Sequence, residues 1–210
     1  MTDGHHDCAA TFWDTHYTRH AGVWSGEPNA VLVAETSNLP SGVALDLGCG
    51  EGADAVWLAQ HGWHVTGVDI SEVALSRAAN LAEAEAVEGQ ITWERHDLSE
   101  TFPAGSFDLV IAHYLHSPLP TRRALALQQA ARAVAMGGAL LVVGHASVAP
   151  WSWDPNTELP TASEVLVEVG LGRDPAWHTV VCEDRPRQAT GPNGEVATIT
   201  DSVLRLARTQ

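Results

Sequence analysis

A carboxylate and three glycines lie within one short segment, Asp46-Leu-Gly48-Cys-Gly50-Glu-Gly52. The segment follows an apolar run that begins at Val43, and such a run is typical of a buried parallel strand. Glycine has no Cβ, so the backbone of this loop can turn sharply and approach a ligand closely. The Asp46 carboxylate would repel a pyrophosphate and attract an amine or a sulfonium. The spacing therefore indicates a binding loop for a positively charged small molecule.

Two further acids follow the next two predicted strands. Asp69 ends the strand over residues 64–68, and Asp97 follows the strand over residues 91–95. Ligands bind at the carboxyl ends of the strands in an open α/β sheet, so both carboxylates are predicted to face one ligand. The glycine spacing, with Asp69 about 20 residues later, also fits the loose dinucleotide fingerprint. A nicotinamide cofactor therefore stays open on spacing alone.

The acid followed by alternate glycines resembles the first motif of class I S-adenosylmethionine-dependent methyltransferases. The resemblance extends over most of the chain. Tyr17, Trp24 and Gly26 are similar to a Tyr…Trp-x-Gly segment that precedes this motif in small bacterial methyltransferases of the tellurite-resistance and thiopurine kind. The resemblance implies S-adenosylmethionine as cofactor, S-adenosylhomocysteine as product and a small-molecule methyl acceptor.

The resemblance also implies cofactor-binding roles for residues of the lid, the glycine loop and the strand ends. These residues are Trp24, Asp46, Gly48, Cys49, Gly50, Asp69, Ile70, Asp97, Leu98 and His113. Asp46 would supply negative charge for the methionine amine, directly or through loop carbonyls. Asp69 would accept hydrogen bonds from both ribose hydroxyls, as a carboxylate can. Ile70 would pack on the adenine, and Asp97 and Leu98 would read its edge.

A general base is needed only if the methyl acceptor keeps a proton on its nucleophilic atom. The candidate catalytic residues are His113, His145 and Tyr17, with His116 as a further candidate. A histidine titrates near neutral pH, which suits the task. His113-x-x-His116 is also a possible metal pair. The three cysteines are scattered without Cys-x-x-Cys spacing, however, so no metal is expected.

The elements that must position these residues alternate between strand and helix along the chain. Strands are predicted over residues 43–47, 64–68, 91–95, 107–111, 139–144, 177–183 and 196–206. Helices are predicted over residues 54–61, 71–86, 121–134 and 161–169. This alternation predicts a Rossmann-like three-layer α/β/α sandwich whose seven-stranded sheet ends in an antiparallel strand. Its switch point lies between the first and fourth strands.

Thr121 is expected to cap the third of these helices, and Gly137-Gly138 is expected to follow its end. Residues 1–210 are expected to form a single domain. Residues 1–11 are polar and are predicted to be poorly ordered. Residues 12–38 are predicted to form a helical lid, in which Asn29 caps a second short helix.

Charge and hydropathy indicate which partners, nucleic acid or membrane, are not expected for this protein. The formal net charge is −15, so the surface repels phosphate backbones and a nucleic-acid substrate is not expected. No apolar run reaches the roughly 18 residues that a membrane helix needs. The N-terminus has no signal-peptide pattern, which predicts a cytoplasmic protein. The protein is expected to be a monomer or a homodimer.

Two other functions stay open. An NAD(P)-dependent oxidoreductase would fit the glycine spacing, but no Tyr-x-x-x-Lys pair follows the fourth strand and the chain contains no lysine. A non-catalytic S-adenosylmethionine-binding protein would keep every cofactor-binding feature and lose only the acceptor pocket. Fold does not decide between a binder and an enzyme.

Overall fold

The computed structural model describes residues 3–19, 26–119, 121–152 and 157–209. Its seven strands are β1 (Val43–Leu47), β2 (His64–Asp69), β3 (Ile91–Arg95), β4 (Phe107–His113), β5 (Val134–His145), β6 (Trp177–Thr190) and β7 (Val196–Arg208). Its helices are α1 (Asp3–Arg19), α2 (Ala30–Thr36), α3 (Ala53–Gln60), α4 (Glu72–Ala84), α5 (Arg123–Ala133) and α6 (Ala162–Val169), with a 3₁₀ turn at Glu88–Gln90. None of the helices in these ranges is long and apolar enough to cross a membrane.

The strands form one mixed sheet in the order β3-β2-β1-β4-β5-β7-β6. The first five strands are parallel, and β7 runs antiparallel to both of its neighbours, β5 and β6. The predicted fold class is therefore confirmed. β2 and β4 lie on opposite sides of β1. The chain therefore adds β2 and β3 on one side of β1 and adds β4 and β5 on the other side. This places the switch point at the carboxyl end of β1, as predicted.

Two hydrophobic clusters fill the two faces of the sheet. On one face Leu58 of α3 packs with Ile111 and Leu141. On the other face Leu127 of α5 packs with Leu140. Neighbouring residues of one strand thus enter different clusters, as the two-residue period of a strand requires. A sheet covered on both faces explains why its central strands read as unbroken apolar runs.

The predicted helix ends are confirmed where a local side-chain signal defines them. Asn29 and Ser71 accept hydrogen bonds from backbone N–H groups at the starts of α2 and α4. Thr161 and Glu164 form a reciprocal capping box at the start of α6, and Gly170 ends that helix with a φ of +79°.

The predicted boundary between α5 and β5 is wrong. Arg122 is the N-cap of α5 and, in the described part of the chain, no side chain caps this helix, so the predicted Thr121 cap does not form. The strand β5 begins at Val134, so Gly137 and Gly138 lie within it. A Cβ on Gly138 would lie 2.8 Å from the carbonyl oxygen of Asp108, beside an irregularity in the pairing with β4. These glycines permit close strand approach rather than a helix stop.

At their carboxyl ends, three strands extend at least two residues further than the sequence predicted. β4 reaches His113, while β6 continues to Thr190 and β7 to Arg208. β6 and β7 form a long hairpin that is paired up to the turn at Gly191–Gly194. This pairing keeps the polar residues near the turn in strand, although they show little of the apolar–polar alternation that predicts a strand. This extension places Arg187 in a strand, where a loop was predicted.

The N-terminal helix α1 includes residues 3–11 of the segment that was predicted to be poorly ordered. Helix α1 begins at Asp3 and continues without a break to Arg19. The aromatic part of this helix is fixed against α4, since Asp14 accepts hydrogen bonds from the Ser71 hydroxyl (2.6 Å) and the Val73 N–H. Extending a formed helix towards its N-terminus adds one hydrogen bond per residue and needs no new nucleus.

We expect Gly52→Ala to lower the free energy of unfolding by about 3 kcal/mol, because alanine disfavours the left-handed region and overpacks a tight contact. Gly52 has a φ of +87°, and its added Cβ would lie 2.7 Å from the Cβ of Ala78. Gly170→Ala is the control, since it has a similar φ and open space around it, and should lose only about 1 kcal/mol. Equal losses in chemical denaturation would contradict the tight contact between the loop and α4.

Candidate active site

A cavity of about 610 Å³ opens at the carboxyl ends of β1, β2, β3 and β4. Helices α1 and α2 contribute Trp13, Tyr17, Asn29 and Val31 to its wall. A cavity of this size suits a small-molecule ligand, and its position at the switch point is the usual one for an open α/β sheet.

The glycine loop forms the floor of this cavity. Gly48, Gly50 and Gly52 have φ values of +72°, +53° and +87°, which side chains rarely adopt. The N–H groups of Gly48 and Cys49 donate to the carbonyl oxygen of Val68, at 2.8 and 2.9 Å. These bonds fix the loop to the end of β2, so its backbone is exposed to the cavity in one defined conformation.

Asp46 is a buried carboxylate that forms no ion pair with any residue in the described part of the chain. It is 2% exposed, and its Oδ2 has no hydrogen-bond partner among the residues that the structure describes. Burial, and then the negative charges of Asp54 and Asp69, raise the pKa of Asp46 well above its ordinary value. An unpaired polar group in the interior is unfavourable, so the site fits a positively charged group such as an ammonium.

Asp69 connects the loop to α4. Its Oδ2 accepts from the Gly50 N–H and its Oδ1 from the Ser71 N–H, both at 2.9 Å. Burial raises the pKa of Asp69, and the Ser71 and Gly50 N–H groups partly oppose that shift. Each carboxylate oxygen can accept a second hydrogen bond, so ligand hydroxyl groups remain compatible with this geometry.

The cavity brings together most of the residues that the sequence predicted for cofactor binding. Its lining includes Asp46, Gly48, Cys49, Gly50, Asp69, Ile70, Asp97, Leu98 and His113. Asp97 also stabilises the turn after β3, because its Oδ1 accepts from the Ser99 N–H at 2.9 Å. Burial raises the pKa of the Cys49 thiol, which therefore remains neutral. Trp24 lies outside the described residues.

His113 is held in one orientation by a residue that the sequence did not single out. Its Nδ1 lies 2.6 Å from Asp54 Oδ2, and its buried Nε2 has no hydrogen-bond partner in the described ranges. With the Nδ1 proton donated to Asp54, Nε2 carries a lone pair. The other oxygen of Asp54 accepts from the Asn29 N–H at 2.6 Å, so Asp54 joins the histidine to the start of α2.

Asp201 on β7 is the common hydrogen-bond acceptor for three side chains in or beside the cavity. This carboxylate is 2% exposed and accepts from the Tyr114 hydroxyl (2.9 Å), from His145 Nδ1 (3.0 Å) and from Arg187 Nε (2.5 Å). Burial, and then the charge of Asp201, raise the pKa of Tyr114 to about 12, so the hydroxyl stays a donor. The hydrogen bonds from His145 and Arg187 lower the pKa of Asp201 despite its burial.

The other candidate bases differ in their access to the cavity. Tyr17 is 3% exposed and lines the wall, where its carbonyl oxygen accepts from Arg77. His145 packs on the Tyr114 ring and belongs to the Asp201 network, but it is not part of the lining. His116 does line the cavity, although its Nε2 already accepts from the His145 N–H at 3.2 Å.

Sequence reasoning missed Asp54, Tyr114, Arg187 and Asp201. Asp201 had a usable signal, because it is an isolated acid within the apolar strand β7, as Asp46 is within β1. Arg187 had none, since its strand was predicted to end earlier. Tyr114 follows His113 directly at the end of β4. Its φ of +48° is one that a tyrosine rarely adopts, so the backbone changes direction at this residue.

Comparison with known proteins identifies the family. A family model described as a methyltransferase domain matches residues 44–138. An uncharacterized methyltransferase from Synechocystis is 33% identical over 154 residues, which cover 68% of this chain and 69% of that protein. A probable thiol methyltransferase 2 from Arabidopsis thaliana is 30% identical over 62% of this chain, and the match spans 60% of that relative's length.

The fold is also found among solved methyltransferases. The N-methyltransferase NodS from Bradyrhizobium japonicum, solved with S-adenosylhomocysteine, has a TM-score of 0.68 at 19% identity, over 94% of this chain and 98% of that one. Its sheet fold is shared, while the sequences have diverged. The family model, and the Synechocystis relative that is 33% identical over 69% of its length, show that the chain belongs to the class I S-adenosylmethionine-dependent methyltransferases.

Proposed function

We propose that this protein transfers a methyl group from S-adenosylmethionine to a small-molecule acceptor. The observation that carries the proposal is the buried, unpaired carboxylate of Asp46 beside the glycine loop. A cationic cofactor would supply the missing partner, whereas the pyrophosphate of a nicotinamide cofactor would add negative charge next to three carboxylates. The family and the S-adenosylhomocysteine complex of NodS support the same cofactor.

The residues of the cavity fit this cofactor part by part. Asp46 would pair with the ammonium, while the glycines allow the methionine moiety to approach the backbone. Asp69 would accept from the ribose hydroxyls, and Asp97 and Leu98 would contact the adenine edge while Ile70 packs on its face. The cofactor supplies a methyl group that its sulfonium makes electrophilic, so the protein needs mainly to orient the reactants and exclude water.

Residues 12–38 are proposed to act as the lid of the single domain. Trp13 and Tyr17 of α1, and Asn29 and Val31 at the start of α2, line the cavity. The hydrogen bond from the Asn29 N–H to Asp54 anchors α2 to the first turn of α3. Trp24 is proposed to complete this lid.

His113 is proposed to accept the proton of a protic acceptor. Asp54 would keep the Nδ1–H tautomer and stabilise the imidazolium that forms at Nε2. His145 and Tyr17 would then contribute to the shape and polarity of the site. A thiolate acceptor would need no such proton transfer, and the Arabidopsis relative is named as a probable thiol methyltransferase.

The acceptor is proposed to be a small molecule in the cytoplasm, acted on by a monomer or a homodimer. The net charge of −15 disfavours nucleic-acid substrates. Tyr114, Leu115 and His116 line the cavity next to His113. A cavity lined in this way suits a small ligand better than a polymer.

Incubation with methyl-labelled S-adenosylmethionine and a panel of thiols, phenols and amines tests the proposal. We expect acceptor-dependent formation of S-adenosylhomocysteine and a labelled methyl product with at least one compound class. Cofactor binding without transfer to any acceptor would instead favour a non-catalytic binding protein. Oxidation of a reduced nicotinamide cofactor in place of methyl transfer would contradict the proposal.

Asp69→Ala should weaken S-adenosylmethionine binding by about 2 kcal/mol or more, roughly 30-fold, because it removes hydrogen bonds to a charged group. Calorimetry gives the affinity, and circular dichroism checks that the loop fixed by the Gly50 N–H still folds. Asp174→Ala, which removes a turn carboxylate outside the cavity, is the control. An unchanged affinity would contradict the assigned role of Asp69.

Asp46→Asn should stabilise the cofactor-free protein while weakening cofactor binding. The pKa of Asp46 is raised in the folded state, so its stabilising contribution is present at low pH and is lost as the pH rises through the folded-state pKa. The gain in unfolding free energy should therefore grow from near zero at about pH 4 to about 1–3 kcal/mol at about pH 8.

Denaturant titrations at several pH values measure the difference in unfolding free energy between Asp46→Asn and the unsubstituted protein. Asp108→Asn is the matched control, because Asp108 is exposed and accepts from the Val43 N–H. A loss of stability for Asp46→Asn at every pH would mean that the carboxylate is satisfied in the free protein.

A further inference from the structure

We infer that the methyl acceptor carries a negatively charged group, which is bound by arginines that line the cavity at the start of α5 and on β6. This inference rests on the proposed function and adds the chemical class of the substrate. It depends on the distribution of charge in the cavity, on a buried arginine with an unpaired nitrogen, and on an arginine that is anchored at the cavity wall.

Charged side chains of both signs line the cavity. Asp46, Asp54 and Asp69 lie at the glycine loop and at the end of β2. Three of the chain's 11 arginines also line it, at the start of α5 and on β6, namely Arg122, Arg123 and Arg187. Since the chain has 26 acids, three arginines in one cavity are not expected from composition alone. The cationic cofactor fits the carboxylates at the loop, and an anion fits the arginine donors that neighbouring acids leave unused.

Arg123 is a cation whose burial is only partly compensated. Its side chain is 15% exposed and forms an ion pair with Glu168, yet its Nε is buried and has no hydrogen-bond partner among the described residues. Burial lowers the pKa of Arg123, and the charge of Glu168 only partly opposes this shift. A bound anion would stabilise this guanidinium.

His116 lies close enough to Arg123 for its pKa to respond to charge in the cavity. Burial, and then the charges of Arg123 and His145, lower the pKa of His116 to about 4. The imidazole is therefore neutral near pH 7. A negatively charged ligand would reverse the effect of Arg123 and raise the pKa of His116.

Arg187 is positioned to contact such a ligand. Its Nε donates to Asp201, while the side chain remains 42% exposed and lines the cavity. Asp201 balances the charge of Arg187, so an anion would be bound by the remaining guanidinium donors together with the exposed cation of Arg122. An arginine held through Nε can present its two terminal nitrogens to a carboxylate in parallel.

The test compares pairs of ligands that differ only in charge. The protein is first saturated with S-adenosylhomocysteine, and the binding of each compound is measured by calorimetry. The pairs are 3-mercaptopropionate with 3-mercaptopropanamide, 4-hydroxybenzoate with 4-hydroxybenzamide, and 4-aminobenzoate with 4-aminobenzamide. We expect the carboxylate of at least one pair to bind at least tenfold more tightly, which corresponds to about 1.4 kcal/mol.

Variants locate the preference on the protein. Arg187→Gln should reduce it to less than threefold, and Arg187→Lys should retain part of it because the charge is kept. Arg185→Gln is the matched control, since Arg185 lies two residues away on β6, pairs with Glu35 and does not line the cavity. Arg122→Gln is a second variant at an exposed position and should weaken the preference without disturbing the Asp201 network.

Nuclear magnetic resonance of His116 adds a readout, because a bound carboxylate should raise the pKa of His116 and a carboxamide should not.

The inference is overturned if no carboxylate binds more tightly than its carboxamide while S-adenosylhomocysteine binds normally. It is also overturned if a preference survives both Arg187→Gln and Arg122→Gln, or is lost equally in Arg185→Gln. Failure of the proposed function has a different signature, because S-adenosylhomocysteine would then not bind in the first step.

Discussion

The site depends on one uncompensated charge, the carboxylate of Asp46 at the centre of the sheet. β1 lies between β2 and β4, so Asp46 is enclosed on both sides and is 2% exposed. Burying a carboxylate without a partner is unfavourable, and sequences retain such a group where a ligand supplies the partner. The glycine loop and the neighbouring acids Asp54 and Asp69 make the requirement for a cation stronger, since they leave the backbone open and add negative charge.

The second half of the cavity is built by the antiparallel hairpin that completes the sheet. β7 lies between β5 and β6, which brings Asp201 next to His145 of β5 and within hydrogen-bond distance of Arg187 on β6. Asp201 then fixes three donors with a single buried carboxylate. The same sheet therefore places Asp46 and Asp69 where its parallel strands end, and Arg187 with its partner Asp201 where its last strands pair.

The sequence was most informative where a structural feature depends on neighbouring residues. The loop from Asp46 to Gly52, the Ser71 cap and the capping box at Thr161 were predictable because each signal lies within a few residues. The contacts that orient the site are not local. His113 and Asp54 are 59 residues apart, and Tyr114 and Asp201 are 87 apart, so only the folded sheet brings them together. The glycines of β5 were misread for the same reason, since their role is set by a neighbouring strand.

Calorimetric titration with S-adenosylmethionine and then S-adenosylhomocysteine, in buffers that differ in enthalpy of ionisation, tests the role of Asp46 most directly. We expect both compounds to bind with net release of protons, because each carries an ammonium that would lower the raised pKa of Asp46. The release should be absent in Asp46→Asn. Absence of binding by both compounds, or binding with proton uptake, would contradict a cation site at this carboxylate.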